Sequence, residues 1–209
     1  MNNKQVDILL AVYNPNEEYL IKQLISLNNQ TYPNLKLYIF DDCIKKRCNL
    51  DLFEKYITNF SYEVLPYCEE NLNYMGAFEK LVQRSDGEYI AFCDQDDIWL
   101  ENKIEVTLNK MVEIEKENIG IPLLIHTDLY IYENEKKNEY IKFMEYQKLN
   151  YRFDTLNRLF MQNIVTGCTM MINKKGIKKI SDIPKEALMH DWWAAIVVSA
   201  FGKIGFVNR

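Results

Sequence analysis

Three carboxylates directly follow an apolar run near the middle of the chain. Tyr89 to Cys93 is aromatic and branched, follows Asp86-Gly87, and is too short for a helix, so it predicts a buried strand. Asp94, Asp96 and Asp97 come next. Clustered carboxylates repel one another unless they are solvated or share a cation, and oxygen ligands suit Mg²⁺ or Mn²⁺. Ligands bind beyond the carboxyl ends of strands in open α/β sheets, so this position favours a metal site.

A simpler interpretation of the same acids is a solvated loop that precedes a helix. A helix is predicted to start near Trp99, and Asp97 would then be its N-cap. Short Asp-x-Asp patterns match by chance in many proteins, so the pattern alone does not decide between the two.

A second acidic pair, Asp41-Asp42, ends another predicted strand, Leu35 to Phe40. In a parallel sheet both clusters fall on the same edge. One pair is suited to hydrogen-bond a base or ribose, and the other to hold a cation on a diphosphate.

Strands and helices alternate through the first half of the chain, which predicts a mainly parallel sheet with right-handed crossovers and flanking helices. The predicted strands are Val6 to Tyr13, Leu35 to Phe40, Tyr62 to Pro66 and Tyr89 to Cys93. The predicted helices are Glu17 to Asn28, Asp51 to Asn59, Ala77 to Arg84 and Glu101 to Lys116.

Composition excludes several classes of protein. The 209 residues, with 48% hydrophobic and 26% charged, suit one soluble domain. A net charge of −5 argues against nucleic-acid binding. Five cysteines without a CxxC spacing favour a reducing compartment. No apolar run reaches the ~18 residues that a membrane-spanning helix needs.

The second half offers weaker signals. Leu123 to His126 is a predicted strand, with His126 as a satisfied polar group rather than a ligand. Glu133 to Glu139 is predicted as a hairpin or loop tip. Tyr140 to Arg158 is rich in aromatic residues and suits either core packing or a mobile lid. Thr166 to Ile172 is predicted as a strand entered through Gly167.

One further acid lies at the start of an apolar helix predicted over Ala194 to Phe201. Asp191 is either the N-cap of that helix or a residue that takes part in chemistry. His190, Trp192 and Trp193 surround it, and aromatic faces are suited to stack on sugar rings, although one of the two tryptophans is expected in the core.

Taken in order, these segments resemble the family 2 inverting glycosyltransferases of GT-A fold, from Val6 to Val207. The amino-acid sequences of Asp94 to Trp99 and of His190 to Trp193 are most similar to those of the bacterial rhamnosyltransferase-like branch. The matching pieces are Ala11-Val12-Tyr13-Asn14, Ser26 to Pro33, Phe40-Asp41-Asp42, Asp86 to Ile90, Asp94 to Trp99, Asn163 to Thr169 and His190 to Trp193.

The resemblance implies a role for each matching position. Asp94 and Asp96 would hold the metal, Asp191 would be the general base, and Asp41 or Asp42 would contact the base or ribose. The remaining substrate-binding residues implied are Ala11, Tyr13, Asn14, Asn71, Gly76, Asp94, Gln95, Trp99, Gly167, His190 and Trp192.

Two departures from the family pattern stand out. Asn73 occupies a position where relatives usually carry Gly, and Asn tolerates positive φ. The chain also stops at Arg209, whereas relatives commonly continue with a segment that completes the metal and donor site. Truncation at the C-terminus is therefore left open.

The resemblance implies a single GT-A domain, 1–209, with a donor half, 1–99, and a smaller acceptor-side half, 100–209. The implied reaction transfers a sugar from a UDP- or dTDP-linked donor to a hydroxyl of a glycan or lipid-linked acceptor, with Mn²⁺ or Mg²⁺, in bacterial surface polysaccharide synthesis. It implies a cytoplasmic location and leaves peripheral membrane association and oligomeric state open. The alternatives are a non-catalytic nucleotide-sugar-binding domain and a nucleotidyltransferase, although the glycine-rich basic loop of the latter is missing after the first strand.

Overall fold

The computed structural model describes residues 3–132 and 141–208. Within these ranges, seven strands form one sheet, in the order β3 (Ser61–Val64), β2 (Leu35–Asp41), β1 (Val6–Val12), β4 (Tyr89–Cys93), β8 (Met170–Asn173), β5 (Leu123–Thr127) and β9 (Lys203–Val207). β8 is antiparallel to both of its neighbours, and the other strands all run in the same direction. The predicted mainly parallel sheet is confirmed.

The first half of the chain alternates strands and helices as predicted. Its strands are β1 (Val6–Val12), β2 (Leu35–Asp41), β3 (Ser61–Val64) and β4 (Tyr89–Cys93). Its helices are α1 (Glu17–Asn28), α2 (Asp51–Tyr56) and α3 (Asn73–Arg84), and α4 (Lys103–Glu117) follows the acidic stretch.

The second half completes the sheet. Its strands are β5 (Leu123–Thr127), the short pair β6 (Tyr130–Ile131) and β7 (Ile141–Lys142), β8 (Met170–Asn173) and β9 (Lys203–Val207). Its helices are α5 (Phe143–Tyr146), α6 (Leu156–Leu159), α7 (Lys174–Ile180) and α8 (His190–Phe201). The loop tip predicted over 133–139 lies outside the described residues.

The sheet is buried on both faces, which explains the continuous apolar runs of its strands. Because side chains alternate along a strand, Ile8 and Leu10 of β1 belong to a core cluster shared with α1, α2 and α4, whereas Leu9 belongs to a second cluster shared with α3, α7 and α8. The sheet therefore separates two cores.

This topology determines where the polar side chains meet. The carboxyl ends of β1, β2 and β4 share one edge, and the antiparallel β8 begins at that same edge. Met171 pairs with Ala91, so the residues just before β8 lie beside those just after β4. Both predicted acidic clusters therefore lie along one edge.

Several local predictions differ from the structure. α4 begins at Lys103 after Asn102, so Asp97 is not its N-cap. Residues Gly167–Thr169 form a 3₁₀ turn, and the strand starts only at Met170. His126 is fully buried and its ring packs 5.0 Å from that of Phe206, so it is a core residue, and its interpretation as a satisfied polar group rather than a ligand stays a prediction.

Candidate functional site

The carboxylates after β4 meet a thiol from the turn before β8. Asp94, Asp97 and Cys168 each offer one ligand atom, and these atoms lie within 4.8 Å of one another. Asp97 Oδ2 is a buried acceptor that has no hydrogen-bond partner among the described residues. We call this group the acidic cluster. Asp96, expected as a metal ligand, is exposed at the turn and does not belong to it.

The carboxyl of Asp94 is the most perturbed acid of the cluster. Burial, together with the charges of Asp97, Asp96 and Asp191, raises the pKa of Asp94 to about 7, and Lys103 opposes the rise. The charges of three other carboxylates thus act on Asp94 at the sheet edge. A group that gathers negative charge in a partly buried position is a candidate functional site.

The raised pKa of Asp94 predicts an effect on stability in a chelator-containing buffer. Between pH 4 and 7 the unfolded chain ionises Asp94 while the folded protein keeps the proton, so the free energy of unfolding falls as the pH rises. Asp94→Asn removes this penalty. We expect the variant to be more stable than the parent by about 1–4 kcal/mol at pH 8, and nearly equal at pH 4.

Denaturant unfolding at the two pH values measures the difference. Asp51→Asn, which makes the same substitution at an exposed position in the first turn of α2, is the matched control. An equal effect of Asp94→Asn at pH 4 and pH 8 would contradict the assignment.

A lysine that sequence reasoning did not single out lies against the acidic cluster. Lys103 Nζ donates a hydrogen bond to the Cys168 carbonyl and lies 3.7 Å from the centre of the Trp99 ring. Burial lowers the pKa of Lys103, and the charges of the cluster oppose this. Its position as the first residue of α4 gave no signal, because the helix was expected to begin earlier.

The end of β1 is bound to the acidic stretch through Gln95. The Gln95 side-chain oxygen accepts from Tyr13 N at 2.8 Å, and its amide donates to Tyr13 O at 3.3 Å. Tyr13 itself is 58% exposed, and Asn14 has a φ of 42°. Gln95 thus fixes the backbone where Ala11, Tyr13 and Asn14 were expected to line a nucleotide pocket.

Asp41 and Asp42 are both buried at the end of β2, and both fix loops. Asp41 accepts from Cys43 N at 2.9 Å and from Cys48 N at 2.8 Å, so each of its oxygens has a backbone partner. Asp42 Oδ1 accepts from Leu72 N at 2.8 Å. Burial raises the pKa of Asp42. Backbone hydrogen bonds from Leu72 and Asn73 to the carboxylate oppose this rise, so Asp42, like Asp41, has two backbone partners.

The loop before α3 is held against the end of β2. Asn71 donates to Asp42 O at 3.0 Å and accepts from Asn73 N at 3.1 Å. Asn73 has a φ of 55°, which confirms that Asn adopts the backbone for which Gly was expected. At Gly76 a Cβ would lie 2.8 Å from Leu72 Cβ, so the glycine allows the first turn of α3 to close tightly on the loop.

Asp191 lies in the first turn of α8, where Met189 is the N-cap, so its interpretation as the cap was wrong. Asp191 Oδ2 accepts from Gly167 N at 3.0 Å, and Oδ1 accepts from Trp192 N at 2.6 Å. Asn163 Nδ2 donates to Oδ1 at 3.3 Å. Burial raises the pKa of Asp191.

Asp191 lines a cavity of about 360 Å³. The other lining residues come from the segment that precedes the 3₁₀ turn and from the segment around α5. They are Phe143, Gln147, Leu149, Gln162, Asn163, Ile164, Val165 and Thr166. In the segment predicted as either core or lid, Met144 is buried in the core and its neighbours line the cavity, so core packing is confirmed and the lid stays a prediction.

Four of the other expected substrate contacts lie in or beside packed regions. Trp99 is buried, and the His190 ring packs 4.1 Å from that of Phe78, with both ring nitrogens unpartnered among the described residues. A Cβ on Gly167 would lie 2.9 Å from His190 Nε2, so this glycine permits close packing. Trp192 donates to Leu159 O at 2.6 Å and, with Trp193, lines a separate cavity of about 320 Å³.

Acids clustered beyond the carboxyl ends of parallel strands, with a buried acid in an adjacent cavity, are typical of ligand-binding α/β domains. Residues 7–181 match the family model Glycosyl transferase family 2. The chain belongs to this family.

Curated relatives carry the same assignment. An uncharacterized glycosyltransferase of Methanocaldococcus jannaschii is 26% identical over 96% of this chain and 67% of its own length. The Escherichia coli protein UDP-Glc:alpha-D-GlcNAc-diphosphoundecaprenol beta-1,3-glucosyltransferase WfgD is 28% identical over 82% of this chain and 61% of its own length. The chain thus spans about two-thirds or less of the length of these relatives.

A solved structure shows the same fold. The mannosyltransferase PcManGT of Pyrobaculum calidifontis, in complex with GDP-Man and Mn²⁺, superposes with a TM-score of 0.67 at 13% identity, over 99% of this chain and 56% of that one. The fold is that of the GT-A glycosyltransferases. Among the described residues, no helix combines the length and apolar character needed to cross a membrane.

Proposed function

We propose that this chain is the catalytic domain of a glycosyltransferase that moves a sugar from a nucleoside diphosphate to a hydroxyl group in bacterial surface polysaccharide synthesis. The observation that carries the proposal is the pairing of two sites at one sheet edge. The acidic cluster suits a diphosphate with its cation, and the Asp191 charge acts on Asp94 from the adjacent cavity. Membership of glycosyl transferase family 2 agrees with this reaction.

The donor is proposed to bind along the ends of β1, β2 and β4. The nucleoside would contact the Ala11 to Asn14 backbone and either Asp41 or Asp42, and the diphosphate would face Asp94 and Asp96. WfgD is named for its use of UDP-Glc and PcManGT was solved with GDP-Man, so relatives differ in nucleotide. We propose a UDP- or dTDP-linked donor for this chain.

A divalent cation fits the residues present. The unpartnered, buried Asp97 Oδ2 and the convergence of Asp94, Asp97 and Cys168 leave acceptor capacity directed at one point. Asp94 and Asp97 would hold Mn²⁺ or Mg²⁺, with exposed Asp96 as the further carboxylate implied by the family. When bound, such a cation stabilises negative charge on the departing diphosphate. PcManGT, solved with Mn²⁺, supports this choice.

Asp191 is proposed as the general base of an inverting, in-line displacement at the anomeric carbon. A sugar hydroxyl is a weak nucleophile, and a positioned base that accepts its proton lowers the barrier. Hydrogen bonds from Gly167, Trp192 and Asn163 fix the carboxylate at the cavity wall. Burial moves its pKa upward, toward the operating pH at which a general base is most effective.

The remaining features of the proposal rest on resemblance and on the names of relatives. We propose a glycan or lipid-linked acceptor, since WfgD is named for a diphosphoundecaprenol acceptor, and a cytoplasmic location at or near the inner face of the membrane. We propose that the chain belongs to the rhamnosyltransferase-like branch, because the amino-acid sequences of Asp94 to Trp99 and His190 to Trp193 resemble that branch. Residues 1–99 would bind the donor and 100–209 the acceptor.

A thermal-shift screen tests the proposal. UDP, dTDP, GDP and their sugar conjugates are added with Mn²⁺ or with a chelator. We expect at least one uridine or thymidine diphosphate to raise the unfolding temperature with Mn²⁺, and much less with the chelator, because ligands that bind only the folded state stabilise it. Equal shifts with and without Mn²⁺, or none with any nucleotide, would contradict it.

A further inference from the structure

We propose that Lys103 is a positioning residue. Its ammonium group lies between the acidic cluster and the turn that holds Asp191, and it links the two. This inference rests on the proposed role of Asp191 as the base. It concerns a residue outside the acids, glycines and tryptophans discussed so far, and it follows from a chain of contacts that crosses from the donor side of the site to the acceptor side.

The ammonium group of Lys103 is fixed from two sides. Its Nζ lies 3.7 Å from the centre of the buried Trp99 ring, within the range of a cation–π contact, and it donates a hydrogen bond to the Cys168 carbonyl. Trp99 is itself anchored, since its backbone N donates to Ser26 Oγ at 3.0 Å. A long lysine side chain is thus held in one geometry.

The charge of Lys103 acts on the acidic cluster. Asp94 and Asp97 both interact with it electrostatically. Close carboxylates repel one another when no cation is present, and a resident ammonium offsets that repulsion. The same charge opposes a divalent cation that enters the cluster, so Lys103 sets how tightly the site holds its metal.

The contact to Cys168 continues to Asp191. Cys168 is the middle residue of the 3₁₀ turn Gly167–Thr169, and the N–H of Gly167 donates to Asp191 Oδ2 at 3.0 Å. This turn has no room to shift toward α8, because even a Cβ on Gly167 would lie 2.9 Å from His190 Nε2. Lys103 therefore fixes the Cys168 carbonyl of this turn, and the Gly167 amide of the same turn fixes the carboxylate of Asp191.

Two substitutions separate the charge from the geometry. Lys103→Met keeps an apolar stem and removes the ammonium; Lys103→Arg keeps the charge but changes the position of the donors. Lys110→Met is the matched control, because Lys110 lies on the same helix and pairs only with Glu113 at 2.8 Å in the described hydrogen bonds and ion pairs. Each protein is measured for Mn²⁺ affinity by calorimetry, for hydrogen exchange of the Gly167 amide, and for sugar transfer.

For Lys103→Met we expect Mn²⁺ affinity to increase at least about threefold, because a repelling charge is removed. We expect Gly167 exchange to be faster and transfer at least about tenfold slower, since the base loses its position. For Lys103→Arg we expect parent-like Mn²⁺ affinity with faster Gly167 exchange and slower transfer. Lys110→Met is expected to match the parent in all three.

Weaker or unchanged Mn²⁺ binding in Lys103→Met would overturn the claim that the Lys103 charge opposes the metal. Loss of a purely structural residue would disorder the site and lower the Mn²⁺ affinity. Unchanged Gly167 exchange in both Lys103 variants would overturn the link to Asp191. If Lys103→Met does not fold, Lys103→Arg still tests that link. If the parent transfers no sugar, the proposed function fails, but the Mn²⁺ and exchange measurements still decide the role of Lys103.

Discussion

The Asp191→Asn protein is expected to transfer sugar at least about 100-fold more slowly than the parent while it binds donor nucleotide and Mn²⁺ normally. A positioned general base typically contributes roughly 10²–10⁴-fold to the rate, and asparagine cannot accept the proton. Asparagine Oδ1 can still accept from Gly167 N, so the turn before β8 keeps its partner. Transfer kinetics and calorimetry on the same preparation give the two quantities.

Asp51→Asn is the control for a carboxylate in the first turn of a helix, where the helix dipole stabilises a negative charge. This variant is expected to transfer at the parent rate. If Asp191→Asn also transfers within a few-fold of the parent, Asp191 acts only in the packing of α8 against the turn, and another group is the base.

The Asp94→Asn protein is expected to lose cation-dependent binding of nucleoside diphosphate by at least about 100-fold. Loss of a residue that merely orients a metal ligand typically costs 10–100-fold in affinity, so loss of a direct ligand is expected to cost at least the upper end. Asp94 is the carboxylate that both the family resemblance and the geometry of the acidic cluster indicate as a metal ligand. Calorimetric titration of UDP with Mn²⁺, and again with a chelator, measures the effect.

Asp96→Ala and Asp97→Ala identify the second carboxylate. The resemblance assigns it to Asp96, and the structure brings Asp97 to Asp94. The position at which the substitution causes the larger loss of Mn²⁺-dependent binding is the one that supplies the second ligand. Unchanged affinity in Asp94→Asn, with and without Mn²⁺, would contradict a metal site at the end of β4.

Local patterns were enough to predict the first half of the fold. Strands buried on both faces give continuous apolar runs, as in Val6–Val12, and the acids that end β2 and β4 lie at the edge where the parallel arrangement requires them. The backbone of Asn73 was also predictable, because few residues other than glycine adopt positive φ.

The remaining features depend on contacts between distant parts of the chain. The antiparallel β8 brings Cys168 beside Asp97, and no spacing in the sequence indicates this. Lys103 was missed because its partners, Trp99 and Cys168, meet only in the folded protein. Likewise, the burial of His190 against Phe78 follows from packing of α8 on α3, so its motif did not distinguish a core residue from a ligand contact.

Product analysis with a nucleotide sugar tests the central claim most directly. The parent chain is incubated with UDP- and dTDP-linked sugars, Mn²⁺ and a set of glycan and lipid-linked hydroxyl acceptors, and the anomeric configuration of the product is determined by NMR. We predict a new glycoside whose configuration is inverted relative to the donor, formed with Mn²⁺ and not with a chelator. Bound donor without any glycoside or hydrolysed sugar would contradict the account and indicate a domain that binds nucleotide sugars without catalysis.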